Sequence, residues 1–79
     1  MNKEICLKIY EENKDCIYWY LKKKCTWLSE NDVHDIMLVV WFELSSNIHE
    51  VYNLTNKTMQ SAWLLSVTHR QALHYKKGE

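Results

Sequence analysis

The chain has no proline and a single glycine, Gly78, among its 79 residues. Without proline it carries no fixed turn and no interior helix break. With one glycine it cannot build a glycine-rich phosphate loop, and a β fold made of tight turns is disfavoured for the same reason. The three cysteines, Cys6, Cys16 and Cys25, are odd in number and contain no CxxC pair. Neither a disulfide framework nor a structural zinc site is written in that spacing. The longest apolar run, Ile36 to Phe42, is too short to cross a bilayer, and nothing has the form of a secretory leader. A reduced, cytoplasmic setting without membrane partners is the expectation. Residues 29–56 also lack lysine and arginine altogether.

What remains is strongly apolar: 47% of residues are hydrophobic and 13% aromatic, too many for a disordered chain. At this length one small domain is expected, near the limit at which a single core suffices. The formal net charge is zero but unevenly spread. Residues 1–28 are lysine-rich, residues 29–56 hold Glu30, Asp32, Asp35, Glu43 and Glu50, and Lys57, Arg70, Lys76 and Lys77 follow. Such a basic–acidic–basic order suits two kinds of partner surface, and also suits plain solvated faces. The fold class these features predict is all-α, a compact bundle of three main helices with room for a short fourth within residues 46–56.

The chain is organised around Ser29–Ser45. Ser29 is placed to cap a helix, and Asp32 three residues on completes a capping box. Ile36, Met37, Val40, Trp41 and Leu44 recur at helical spacing and form a core stripe. Leu38, Val39 and Phe42 are apolar too and point elsewhere, so this helix must be covered on a second side. Either the flanking segments cover it, or another protein does.

An earlier helix is predicted from residue 3 to about 25, its inner face formed by Cys6, Ile9, Tyr10, Asn13, Cys16, Ile17, Tyr20 and Leu21. Lys22, Lys23 and Lys24 close it as a charged helix end, where cations suit the helix dipole; Tyr18, Trp19 and Trp27 flank them, so a basic, aromatic surface is the lesser alternative. Residues 46–56 lose periodicity and gather Asn, Ser and Thr, a loop with room for a turn of helix. A third main helix, capped by Asn56 or Thr58, runs to about Lys76. Met59, Trp63, Val67 and Arg70 are predicted to line one side of it. In the packing expected from these stripes the central helix meets Ile9, Cys16, Ile17 and Tyr20 on one flank and Trp63 and Val67 on the other.

Catalytic chemistry finds little purchase. His69 and His74 stand five apart, on different helix faces, and no nucleophile has an evident base and orienting group. Asp32 and Asp35 sit where a helix start ordinarily places carboxylates. The expectation is a non-enzyme without metal or cofactor.

The order of features is nevertheless specific. Asp32-Val33-His34-Asp35-Ile36-Met37 leads into Val40-Trp41-Phe42-Glu43-Leu44. A polar loop follows, then Ala62-Trp63-Leu64-Leu65-Ser66-Val67-Thr68-His69-Arg70-Gln71-Ala72-Leu73-His74-Tyr75-Lys76-Lys77. From about Tyr18 to Lys77 this resembles region 2 of bacterial RNA polymerase sigma factors, particularly the small extracytoplasmic-function type. The Ala-Trp-Leu helix with its trailing Ala-Leu-x-Tyr-basic pattern carries most of the likeness.

That resemblance implies a role for each surface. In the family the central helix docks on the arginine-rich clamp of the polymerase β′ subunit, which would give Asp35, Leu38, Val39, Phe42 and Ser45 to polymerase binding. The last helix and the loop before it hold the melted, single-stranded −10 promoter element, which would give Lys57, Ser66, His69, Arg70, Lys76 and Lys77 to DNA binding. Two departures stand out. Leu38-Val39 replace the family's Gln-Glu, implying a more apolar clamp contact, and His69-Arg70 replace its common Arg-Asn. No region 4 is represented in the 79 residues, so the expectation is an excised domain or one half of a split factor whose region 4 lies in a second polypeptide. The alternative is a helical interaction module, a co-sigma or anti-sigma-like partner, with no direct role on DNA.

Overall fold

The computed structural model describes residues 2–54 and 56–76, and within them four helices and no strand. They are α1 (Asn2–Lys24), α2 (Glu30–Ser46), the single-turn α3 (Ile48–Tyr52) and α4 (Lys57–Lys76). The architecture is an all-α bundle of three long helices and one short one.

Local chemistry accounts for the helix ends. Ser29 Oγ accepts from the Asp32 backbone N–H at 3.1 Å, and Asp32 Oδ2 accepts from the Ser29 backbone N–H at 3.0 Å. This reciprocal pair is the capping box the sequence predicts. At the start of α4 the Asn56 Oδ1 accepts from the Thr58 backbone N–H at 2.7 Å, a cap of a single bond. The lysines at the end of α1 lie where the helix dipole favours them.

Paired residues give the topology. Tyr18 and Lys22 of α1 reach Glu30 of α2, while Tyr10 meets Trp41 edge-on at 5.5 Å, so α1 and α2 are antiparallel. Arg70 of α4 approaches Glu43 near the end of α2, while Tyr75, whose phenol pKa is raised by burial and then by the negative charges of Asp35 and Asp32, lies toward its start, so α2 and α4 are antiparallel too. Glu12 with Lys57, Asn13 with Ser61 and Tyr20 with His69 make α1 and α4 parallel neighbours.

The core lies between the three long helices. Ile17 and Leu21 of α1, Val33, Ile36, Val40 and Leu44 of α2, and Leu64, Val67, Thr68 and Ala72 of α4 are all buried. Ile48 and Val51 of α3 join the same cluster. Asn13, the polar interruption on α1, is buried with both ends of its amide engaged. It donates to the Ile9 carbonyl at 2.8 Å and accepts from the Ser61 hydroxyl. No buried side-chain polar atom is left without a partner among the described residues.

Three expectations are corrected. Cys16 is exposed rather than packed against α2, because the buried line of α1 runs Cys6, Ile9, Asn13, Ile17, Leu21 and leaves Cys16 on its flank. Tyr20 is half-buried on that flank and faces α4. The inner face of α4 is rotated from the stripe that side-chain size suggests: Met59 is 53% exposed, Trp63 only half-buried and Arg70 exposed. Small Ala72 and Thr68 face inward instead, and the Thr68 hydroxyl is satisfied by the Leu64 carbonyl at 2.8 Å.

The short fourth helix allowed for within residues 46–56 is α3. Ile48 and Val51 are buried, and the Gln60 amide donates to the Leu54 carbonyl at 2.9 Å, tying the turn to α4.

Candidate functional site

Burying Val33, Ile36, Val40 and Leu44 on one side of α2 leaves the opposite side facing outward. Asp35, Leu38, Phe42 and Ser45 are exposed there, and Val39 is half-buried beside them. Leu38 is 58% exposed and Phe42 63%, large values for apolar side chains on the most apolar helix of the bundle. The five residues assigned to partner binding therefore share one face, acidic at its start and apolar along its length.

The ridge is flanked by two hollows. Between α1 and α2 lies a groove of about 400 Å³ lined by Tyr10, Lys14, Tyr18, His34, Leu38 and Trp41, among others. On the other side a hollow of about 220 Å³ is lined by Val39, Phe42, Glu43 and Ser46. Glu43 lies 3.8 Å from Arg70, so the outer faces of α2 and α4 adjoin.

Ser66, His69 and Arg70 are exposed along one side of α4. His69 is joined to α1 through a 2.7 Å hydrogen bond between its Nδ1 and the Tyr20 hydroxyl, the rings meeting edge-on at 6.3 Å. Burial pushes the Tyr20 phenol above its ordinary value, which keeps the hydroxyl protonated. Lys76, about two turns beyond His69, lies 4.7 Å over the Trp27 ring, whose Nε1–H donates to the Ala72 carbonyl at 3.0 Å. Trp27 thus ties the end of α4 to the α1–α2 connection.

Lys57 is not part of this group. It is nine residues before Ser66, half a turn out of phase at about 100° per residue. It lies at the other end of α4, 3.4 Å from Glu12. Lys77 lies outside the described residues. Tyr20, Trp27 and Glu43 are the neighbours that no local pattern assigned to this surface. Tyr20 and His69 are 49 residues apart, and only the parallel pairing of α1 and α4 brings them together.

Among the described residues no group of three or more His, Cys, Asp or Glu side chains is close enough to hold a metal ion. No helix there is long and apolar enough to cross a membrane. All three cysteines are free; Cys6 and Cys25 are buried, and burial raises the Cys25 thiol pKa.

No protein-family model matches the chain, and no curated protein or solved structure matches it either.

Proposed function

We propose that this chain is a transcription-initiation module of the sigma region 2 kind. The outer face of α2 docks on the β′ clamp of core RNA polymerase, and the exposed side of α4 holds the melted −10 strand. The observation that carries this reading is the α2 ridge. A helix with one fully buried face presents Leu38 and Phe42 to solvent beside Asp35, a combination suited to an apolar contact with a cationic rim. Ser66, His69 and Arg70 lie on the adjoining face of α4, where a strand bound to the same partner would pass.

A second reading, an interaction module without a DNA role, is favoured by the state of the cations. Lys57 is paired with Glu12, Arg70 with Glu43, and Lys76 sits over Trp27, so each is already engaged within the protein. Binding to core polymerase tests the shared part of both readings. Asp35→Arg combined with Phe42→Glu should lower capture of core polymerase at least tenfold while leaving the circular dichroism spectrum unchanged. Unchanged capture would place the docking face elsewhere. Promoter binding by the assembled polymerase separates the two: Lys76→Ala should weaken all −10 sequences alike and flatten the salt dependence.

A further inference from the structure

Among the described residues, the contact between Tyr20 and His69 is the one side-chain hydrogen bond to another helix made by Ser66, His69 or Arg70, the exposed side of α4. Two proton arrangements fit its 2.7 Å length. In one the phenol donates to an unprotonated Nδ1, and Nε2 carries the ring proton. In the other Nδ1–H donates to the phenol oxygen, and Nε2 is a bare acceptor.

Chemistry separates them. A neutral phenol is a good donor and a poor acceptor, because its oxygen lone pairs are delocalised into the ring. An imidazole nitrogen is a good acceptor. Tyr20 is half-buried on the flank of α1, beside the buried Leu21 and Cys25, so its hydroxyl has little call to ionise. His69 is exposed, so the nitrogen on the far side of its ring is open to a ligand. Which nitrogen of a histidine carries the proton is set by the hydrogen bond the other one makes.

We propose that Tyr20 is a positioning residue for His69: its hydroxyl selects the imidazole tautomer with Nε2–H directed outward, so that α4 offers its ligand a hydrogen-bond donor at this point and takes an acceptor there. Acceptors of that kind on an unstacked base are ring nitrogens and carbonyl oxygens, such as N7 and O6 of guanine or O4 of thymine. An amino group is refused, since a donor would face a donor. The tautomer stands on the α1–α4 contact alone; its use in base choice rests on the nucleic-acid reading of α4.

The test has two independent arms. In ¹⁵N-labelled protein at roughly pH 8, above the usual imidazole range, long-range ¹H–¹⁵N correlation reads both ring nitrogens of each histidine. His69 should show an acceptor-type Nδ1 and a protonated Nε2, more completely than His49 and His74, which have no such partner among the described residues. In Tyr20→Phe, which keeps the ring packing and removes the hydroxyl, the His69 shifts should move to the averaged values of those two. A protonated Nδ1, or shifts already averaged in the parent protein, would overturn the proposal. In the assembled polymerase, Tyr20→Phe and His69→Ala should relax preference at the same promoter base. A Tyr20→Phe profile identical to the parent's, while His69→Ala changes, would also overturn it. A parent protein that captures no polymerase, with the His69 spectrum as expected, would remove the transcription reading and leave the tautomer in place.

Discussion

At the scale of single residues, the sharpest contrast is between Leu64 and Trp63. The larger side chain looks like the better core residue, yet Leu64 is wholly buried and Trp63 is shared between core and solvent. Leu64→Ala should therefore cost about 2–5 kcal/mol, a large-to-small change in a closed site. Trp63→Ala should cost less than Leu64→Ala when both are measured by urea unfolding, and the opposite order would mean that α4 packs on its other side. Glu30 gives a second residue-level expectation. The hydrogen bond from Lys22, then that from Tyr18, holds its carboxyl below the ordinary 4.5. A group whose folded pKa is depressed stabilises the fold above its unfolded pKa, and that contribution is lost as pH falls through the folded value. The pair lies at the surface, where solvent screens it, so the effect is small. Glu30→Gln should lower the melting temperature slightly at neutral pH, with the difference from the parent vanishing in acid below the carboxylate range. A difference that persisted there would mean the side chain acts by packing rather than charge.

At the scale of helices, what was legible in the sequence depended on whether the cause was local. The capping box at Ser29 and Asp32 spans three residues, so it could be read directly, as could the surplus of apolar positions on α2. The register of α4 could not. It is set by tertiary packing, which puts Thr68 and Ala72 inside, and neither stands out by hydrophobicity. Helix α3 was legible only as a short fourth helix somewhere in residues 46–56, without its ends, since five residues do not make a stable helix alone. Its order comes from burial of Ile48 and Val51 and from the Gln60 amide, all tertiary. Of the candidate site, the α2 face was legible as an unexplained second apolar side. The separation of Lys57 from Ser66 and His69 was not, because charge alone does not say which side of a helix a lysine leaves. Its pairing with Glu12 depends on the parallel run of α1.

For the molecule as a whole, the outer ridge of α2 has a cost when no partner is present. Leu38 and Phe42 are exposed close together on a chain this small, and two copies can cover each other's ridge. Sedimentation should show association that rises with concentration and is abolished by Phe42→Glu. Because Phe42 is mostly in solvent, that variant should unfold within about 0.5 kcal/mol of the parent. A strictly monomeric parent at high concentration would mean that the ridge is too small or too well rimmed by charge to pair with itself. Addition of a true partner should compete with the self-association, since both use one surface.

The parallel run of α1 and α4 has a mechanical consequence. Asn2 and Lys76 stand at opposite ends of a body 39 Å long. Tension applied between them lies along the seam where Glu12 meets Lys57, Asn13 meets Ser61 and Tyr20 meets His69. Those contacts are then loaded together in shear, not peeled one after another. Stretched end to end in an optical trap, the bundle should yield in a single step, and at a higher force than when the same protein is pulled across the seam from Cys16 and a cysteine placed at Ser66.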